Sequence, residues 1–305
     1  LRGTFATAGI TDIDNTGDGV VNLRGTLVNT DATFDLSMTS LGNFQVNGGT
    51  IRGGTIDQTG GGQLAFLTSN NILDGVAVTG DLNLGNSASI RLQNGASFTG
   101  DANLTASSNR LSTEFDATIN NTINLTGSNS TFGVSGTSTL TLGTDAQVNL
   151  SGNNASLRSD VVNGGAGTIV NQGTVTANGG QFQSITPDVF DNQGLVEVVG
   201  GGTLQVNSAN LTNLVGTTLS GGFWRAGESS TLDLRSGLIT ENSAEILLDG
   251  TGSAFQSSSS RTSLEDSLVN NTASGTLRVL GGRNYDATAT GAFANAGTIE
   301  LGGGS

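Results

Sequence analysis

Residues 11 to 23, TDIDNTGDGVVNL, set Asp12, Asp14 and Asp18 around Gly17, and a calcium loop of the EF-hand or dockerin kind begins in this way. Such a loop closes with a carboxylate at its twelfth position, where this chain has Leu23. IDNTGDGVVNL (13 to 23) aligns with LVNTDATFDL (27 to 36), so Asn15-Thr16 matches Asn29-Thr30 while Asp14 matches Val28. The shared element is Asn-Thr followed by a turn, and the acids are optional. A solvated turn is the favoured reading. Asp12, Asp14 and Asp18 remain a weak calcium candidate with half a ligand set, and no other cofactor or metal is expected.

Other chemistries fare no better. The chain has no His, so a Ser-His-Asp triad cannot form within it. Its Gly-rich loops open strands, whereas a phosphate cradle opens a helix. GGAGTIVNQ (164 to 172) begins like a calcium-binding nonapeptide, but Thr168 stands where that motif needs Asp and the segment occurs once. A polysaccharide lyase or hydrolase needs carboxylates clustered with an Arg or Lys base, or two carboxylates set across a glycosidic bond. The candidates are Glu197, Asp233, Arg235, Glu241, Glu245, Asp249, Glu265 and Asp266. None forms an acidic motif distinct from the repeat, and Asp233 with Arg235 reads as a surface pair, so no catalytic residue is assigned and an enzyme is not expected. Thr137, Thr139 and Thr141 lie within one coil, whereas an ice-binding face needs Thr at one position of successive coils. Trp224 adjoins Phe223, and on a strand one of the two must point inward. Core filling is favoured for Trp224, and the competing role is a surface on which a sugar stacks.

The elements that must carry these residues are strands. SASIRLQNGASF alternates apolar and polar at Ile90, Leu92, Ala96 and Phe98, and STLTLGTDAQVNL does so at Leu140, Leu142, Ala146, Val148 and Leu150. No window of ten or more residues has helical spacing with caps. The 48 Gly and single Pro, among abundant Ser, Thr and Asn, would suggest disorder were the 34% of hydrophobic residues not patterned. All 11 basic residues are Arg, against 25 acids and a net charge of -14, a balance that repels nucleic acid. No apolar run approaches the ~18 residues of a membrane span. There is no Cys, so disulfides contribute nothing to stability.

The strands repeat. IVNQGTVTANGGQFQ (169 to 183) recurs as FDNQGLVEVVGGGTLQ (190 to 205), relating Asn171 to Asn192 and Gly173 to Gly194 by a shift of 21. LTNLVGTTLSGG places Asn213 a further 21 along, with one residue inserted before Gly216, and FANAGTIELGG carries Asn295 and Gly297. That period is about one turn of a β-solenoid. Asn and Gly both tolerate left-handed backbone, which suits sharp corners, and stacked Asn can form amide ladders from coil to coil. One coil cannot bury enough surface to offset the ordering of its backbone, so neighbours must stack. The expectation is one continuous solenoid over 1 to 305, looser in 1 to 165, clearer from 166 onward, with a loop at 251 to 268. About 15 coils of roughly 20 residues would make a rod on the order of 70 Å long.

GGTIRGGTI, LDGVAVTGDLNL, NQGTVTANGG and the run from LTNLVGTTLSGG to LLDGTGSAFQ resemble the β-solenoid repeats of large bacterial surface proteins, similar to filamentous haemagglutinin and autotransporter passenger regions. The resemblance implies a right-handed parallel β-helix, export to the bacterial cell surface, and a part in adhesion or matrix structure, with no shared catalytic residue. It makes a structural or adhesive unit of an extracellular filament the expected function, with a carbohydrate-binding or carbohydrate-cleaving β-helix as the alternative. Neither end reads as a capping repeat. LRGTF at the start echoes LRGTL at 23 to 27, and the chain opens on Leu1, so it is expected to be a portion of a longer solenoid or to stack end to end on other copies. Surface glycans are a further expected class of partner.

Overall fold

The computed structural model describes residues 1–10, 19–37, 43–85, 87–159 and 165–303. Asp12, Asp14 and Asp18 lie outside the described residues. Strands mostly of two to five residues follow one another around three faces, and nearly all pair in parallel with strands about one turn away. Face one runs from Val20–Leu23 through strands such as Leu82–Leu84 and Leu195–Val198 to Thr298–Leu301. Face two begins at Thr4–Ala6 and reaches Ala254–Ser257. Face three holds a four-stranded sheet from Thr33–Asp35 to Ser97–Phe98 and a five-stranded sheet from Ala117–Ile119 to Asn210–Leu211. The fold is a β-solenoid of about 13 turns.

The expected 15 coils become about 13 because the turns are longer than the clear repeats suggest. The register steps by 18 from Ala65 to Asn83, by 21 from Asn171 to Asn192, and by 31 from Glu245 to Thr276. Strand positions stay fixed while corners absorb the difference. The region 106 to 165, where the repeat is weakest, illustrates this: Arg110 pairs with Thr131 and Thr131 with Ser156, steps of 21 and 25.

Alternation puts Leu82 and Leu84, Val175 and Ala177, Val196 and Val198 inside, with a polar residue between each pair half-buried on the outer surface. The interior is filled by aliphatic side chains and by Phe34, Phe66, Phe132, Phe190, Phe255 and Trp224. Phe34 and Phe44 meet edge to face at 5.0 Å. Near residue 218 faces three and one merge into the nine-residue strands Thr218–Ala226 and Glu241–Asp249. The bend between the two faces falls at Gly221 and Gly222, whose φ values of +66° and +69° are left-handed and cost a Cβ-free residue little.

The stretch 251 to 268 is a loop only in part. Ala254–Ser257 is a strand paired in parallel with Thr231–Leu234, after which the chain turns back as the antiparallel pair Thr262–Ser263 and one helical turn, Leu264–Ser267. Among the described residues no helix is long and apolar enough to cross a membrane.

Candidate functional site

The repeated asparagines gather on the corner between faces three and one. Asn171 Nδ2 donates to Asn192 Oδ1 at 2.8 Å, and the backbone N–H of Asn192 donates to Asn213 Oδ1 at 2.7 Å. Asn213 Nδ2 returns a bond to the Asn192 carbonyl at 2.8 Å. The antiparallel hairpin Leu214–Val215 with Thr218 and Leu219, turning at Gly216 with φ +62°, interrupts the column and explains the extra residue there. The column resumes as Asn242, Asn271 and Asn295, linked Nδ2 to Oδ1 at 2.9 and 2.7 Å. None of Asn171, Asn192, Asn213 and Asn295 has left-handed backbone, contrary to the corner geometry expected of them; Asn70, Asn129 and Asn154, on the corner between faces one and two, do. The repeat fixes these asparagines for their amides: those of Asn192 and Asn213 are buried and bonded at both ends, which offsets their desolvation.

The glycines that follow are fixed by space. A Cβ on Gly194 would stand 2.2 Å from the Gly173 carbonyl oxygen, and on Gly297 the same distance from that of Gly275. On Gly173 it would stand 2.3 Å from the Ala146 carbonyl oxygen.

A second amide row runs along the outside of face one. Asn83, Asn103, Asn124 and Asn149 are in register, and each Nδ2 donates to the preceding Oδ1 at 2.9 Å. The signal is visible in the sequence as LNL, ANL, INL and VNL at 82, 102, 123 and 148, a motif not singled out in the sequence reading. Further along the same column the amides give way to charge. Thr176 Oγ1 donates to Glu197, and Arg225 bridges Glu197 and Asp249 at 2.7 and 2.8 Å.

The candidate acids are dispersed. Glu197 and Asp249 are held apart by Arg225. Asp233, expected at the surface with Arg235, is only 1% exposed: Arg235 reaches its Oδ2 at 2.7 Å and Arg261 approaches the same oxygen at 3.5 Å. Glu241 accepts from Thr218 and Asn270, and these bonds hold its carboxyl below the ordinary range. Glu245 faces Arg278, which also takes Glu300. Glu265 and Asp266 sit in the helical turn Leu264–Ser267, against Arg283 and Thr288. Among the described residues no group of three or more acids is placed to hold a metal ion.

Trp224 is completely buried, with its Nε1 donating to the Gly221 carbonyl at 3.0 Å. It is a core residue and offers no stacking surface. Tyr285, the other large amphipathic aromatic, is partly buried, and burial together with the nearby Glu265 carboxylate raises its hydroxyl above the usual range. One groove on the corner between faces one and two, of about 650 Å³, is floored by Gly200, Gly201, Gly227 and Gly250 and edged by Arg225, Glu228 and Asp249. Its lining mixes glycine backbone and Val199 with the charged side chains of Arg225, Glu228 and Asp249. No family model matches the chain, and no curated protein and no solved structure matches it.

Proposed function

We propose that the chain is a structural or adhesive unit of an extracellular bacterial filament or surface protein, of the kind its repeats resemble in filamentous haemagglutinin and autotransporter passenger regions. The observation that carries this reading is the direction of the bonding. Backbone pairing, both amide columns and most Arg–carboxylate pairs tie one coil to the next along the axis, as in Arg52–Asp74, Arg91–Glu114 and Arg225–Asp249. Such bonding suits a molecule whose work is to span distance and resist disassembly. No catalytic role is assigned, and the partners are further coils, either of the same chain or of another copy. The test is electron microscopy of purified native material, without and with chelator. Continuous thin fibres with a ~4.8 Å axial repeat support a filament unit. Short separate rods in both conditions count against it, and fibres lost on chelation would assign calcium a structural part.

The groove edged by Arg225, Glu228 and Asp249 favours a second reading, binding of a surface glycan. A glycan array with the parent protein and the Glu228→Ala variant tests it, and release of reducing sugar from a polysaccharide panel would establish cleavage.

A further inference from the structure

Face two stops before face one does. Among the described residues its last parallel strand, Ala254–Ser257, has no parallel neighbour beyond it, while face one continues through Thr276–Leu280 and Thr298–Leu301. The place of the next face-two strand is taken by two pieces. Thr262–Ser263 folds back antiparallel onto Gln256 and Ser257, leading into the turn Leu264–Ser267, whose Leu264 is buried together with Leu268. Residues 281–293, which contain no strand, then cross over that turn.

The crossing segment is fastened largely through one residue. The Glu265 carboxylate accepts from Arg283 Nη2 at 2.9 Å and from the Asp286 backbone N–H at 3.2 Å, while its carbonyl accepts from the N–H groups of Thr288 and Ala289 at 2.9 and 3.0 Å. Arg283 Nε also donates to the Ser253 carbonyl at 2.7 Å, at the entry to the last parallel strand. Tyr285 packs against the core with its hydroxyl donating to the Leu264 carbonyl at 3.4 Å.

An uncovered parallel strand in a solenoid is a template for another strand of the same spacing and inward alternation. We propose that residues 258–268 and 281–289 together are a plug over the face-two edge, that Glu265 is its latch, and that release of the plug lets that edge take a strand from a second copy of this chain. A second copy fits because its coils carry the apolar alternation that Phe255 continues from Leu232. The inference rests on the structural-unit reading and adds to it a control over when assembly begins.

The test uses the full chain in three forms: parent, Glu265→Ala, and Arg283→Ala/Tyr285→Ala, the last leaving Glu265 in place. Hydrogen exchange at Thr288 and Ala289 reports whether the latch has opened, and circular dichroism reports whether the solenoid is folded. The expected result is faster exchange at those amides, assembly at a concentration lower by about tenfold or more than the parent requires, and new protection of the amides of 254–257 in the assemblies. Arg278→Ala, which breaks cross-coil pairs away from the plug, is expected to assemble as the parent does. If both plug variants open, stay folded and remain as monomeric as the parent, the proposal is overturned. Amorphous precipitate lacking an axial repeat overturns it equally, as does unchanged exchange at Thr288 and Ala289 in both variants. Fibres from the variants alone uphold the plug while removing support for spontaneous filament formation by the closed parent, so the two readings fail separately.

Discussion

Asn192 shows how much one side chain does in this architecture. It lies 1% exposed between Asn171 and Asn213, with its amide and its backbone both committed to the neighbouring coils. Asn192→Leu removes an acceptor for Asn171 and buries unpaired groups on either side, so a loss of about 1–3 kcal/mol is expected in urea unfolding. Gly194→Ala is expected to destabilise as well although it adds only a methyl group, because that group meets the backbone of Gly173, which has no flexible atoms to move aside. Trp224→Ala is expected to cost about 3–5 kcal/mol through the cavity it leaves. Should the protein bind a glycan on an array, that variant is expected to retain binding wherever it is folded, because the indole has no exposed surface.

Along a face, the element is the ladder of cross-coil pairs, and its carboxylates govern the response to acid. Burial pushes the Glu114 carboxyl up, but hydrogen bonds from Arg91 at 2.5 and 2.8 Å and from Gln93 at 2.6 Å outweigh it and leave the group below its ordinary value. The Asp74 carboxyl is lowered by Asn94 and Arg52, and that of Glu241 by Thr218 and Asn270. A carboxyl whose pKa is lower folded than unfolded contributes stability that is present above its unfolded pKa near ~4 and is lost as pH falls through the folded value. The melting temperature is therefore expected to fall as the pH is taken from neutral to about 2. Glu114→Gln should flatten part of that slope, and an unchanged slope would assign the acid response to other groups. The uncharged row Asn83, Asn103, Asn124 and Asn149 lies on face one, apart from the face-two ladder that holds Glu114, and has nothing to titrate, so amide exchange in its strands is expected to keep its protection to lower pH than exchange around Glu114.

For the whole molecule, bonding along one axis makes stability a sum over neighbouring coils. About 13 turns at ~4.8 Å give a rod on the order of 60 Å, which small-angle scattering of the isolated 305-residue chain can measure. In that chain the final strand Thr298–Leu301 is exposed throughout, with Leu301 at 73%, so its amides are expected to exchange well before those of Gln147–Leu150 in the middle of the stack. Eleven Arg against 25 acids leave a net charge of -14, and several of those Arg are already committed to cross-coil pairs. The remaining repulsion is screened by salt, so heat stability is expected to rise between low ionic strength and about 0.15 M. A fall instead would mean that the ion pairs outweigh the net repulsion.

The period-2 alternation and the shift of 21 between Asn171 and Asn192 were enough by themselves to imply a stacked β-solenoid with asparagine ladders, because both are local regularities that a strand's geometry imposes on the chain. The amide row on face one was equally present as LNL, ANL, INL and VNL, though spaced by 20, 21 and 25 residues, which hides it from a search at a fixed period. What the tertiary structure alone decided is how many turns the chain makes, since corner length varies freely while strand register does not. It also decided that Asp233 is covered by Arg235 and Arg261, that Trp224 faces inward and Phe223 outward, and that residues 258–268 and 281–289 lie over the edge of face two. Those outcomes depend on which coil lies above which, a relation between residues distant in the chain that neither composition nor periodicity encodes.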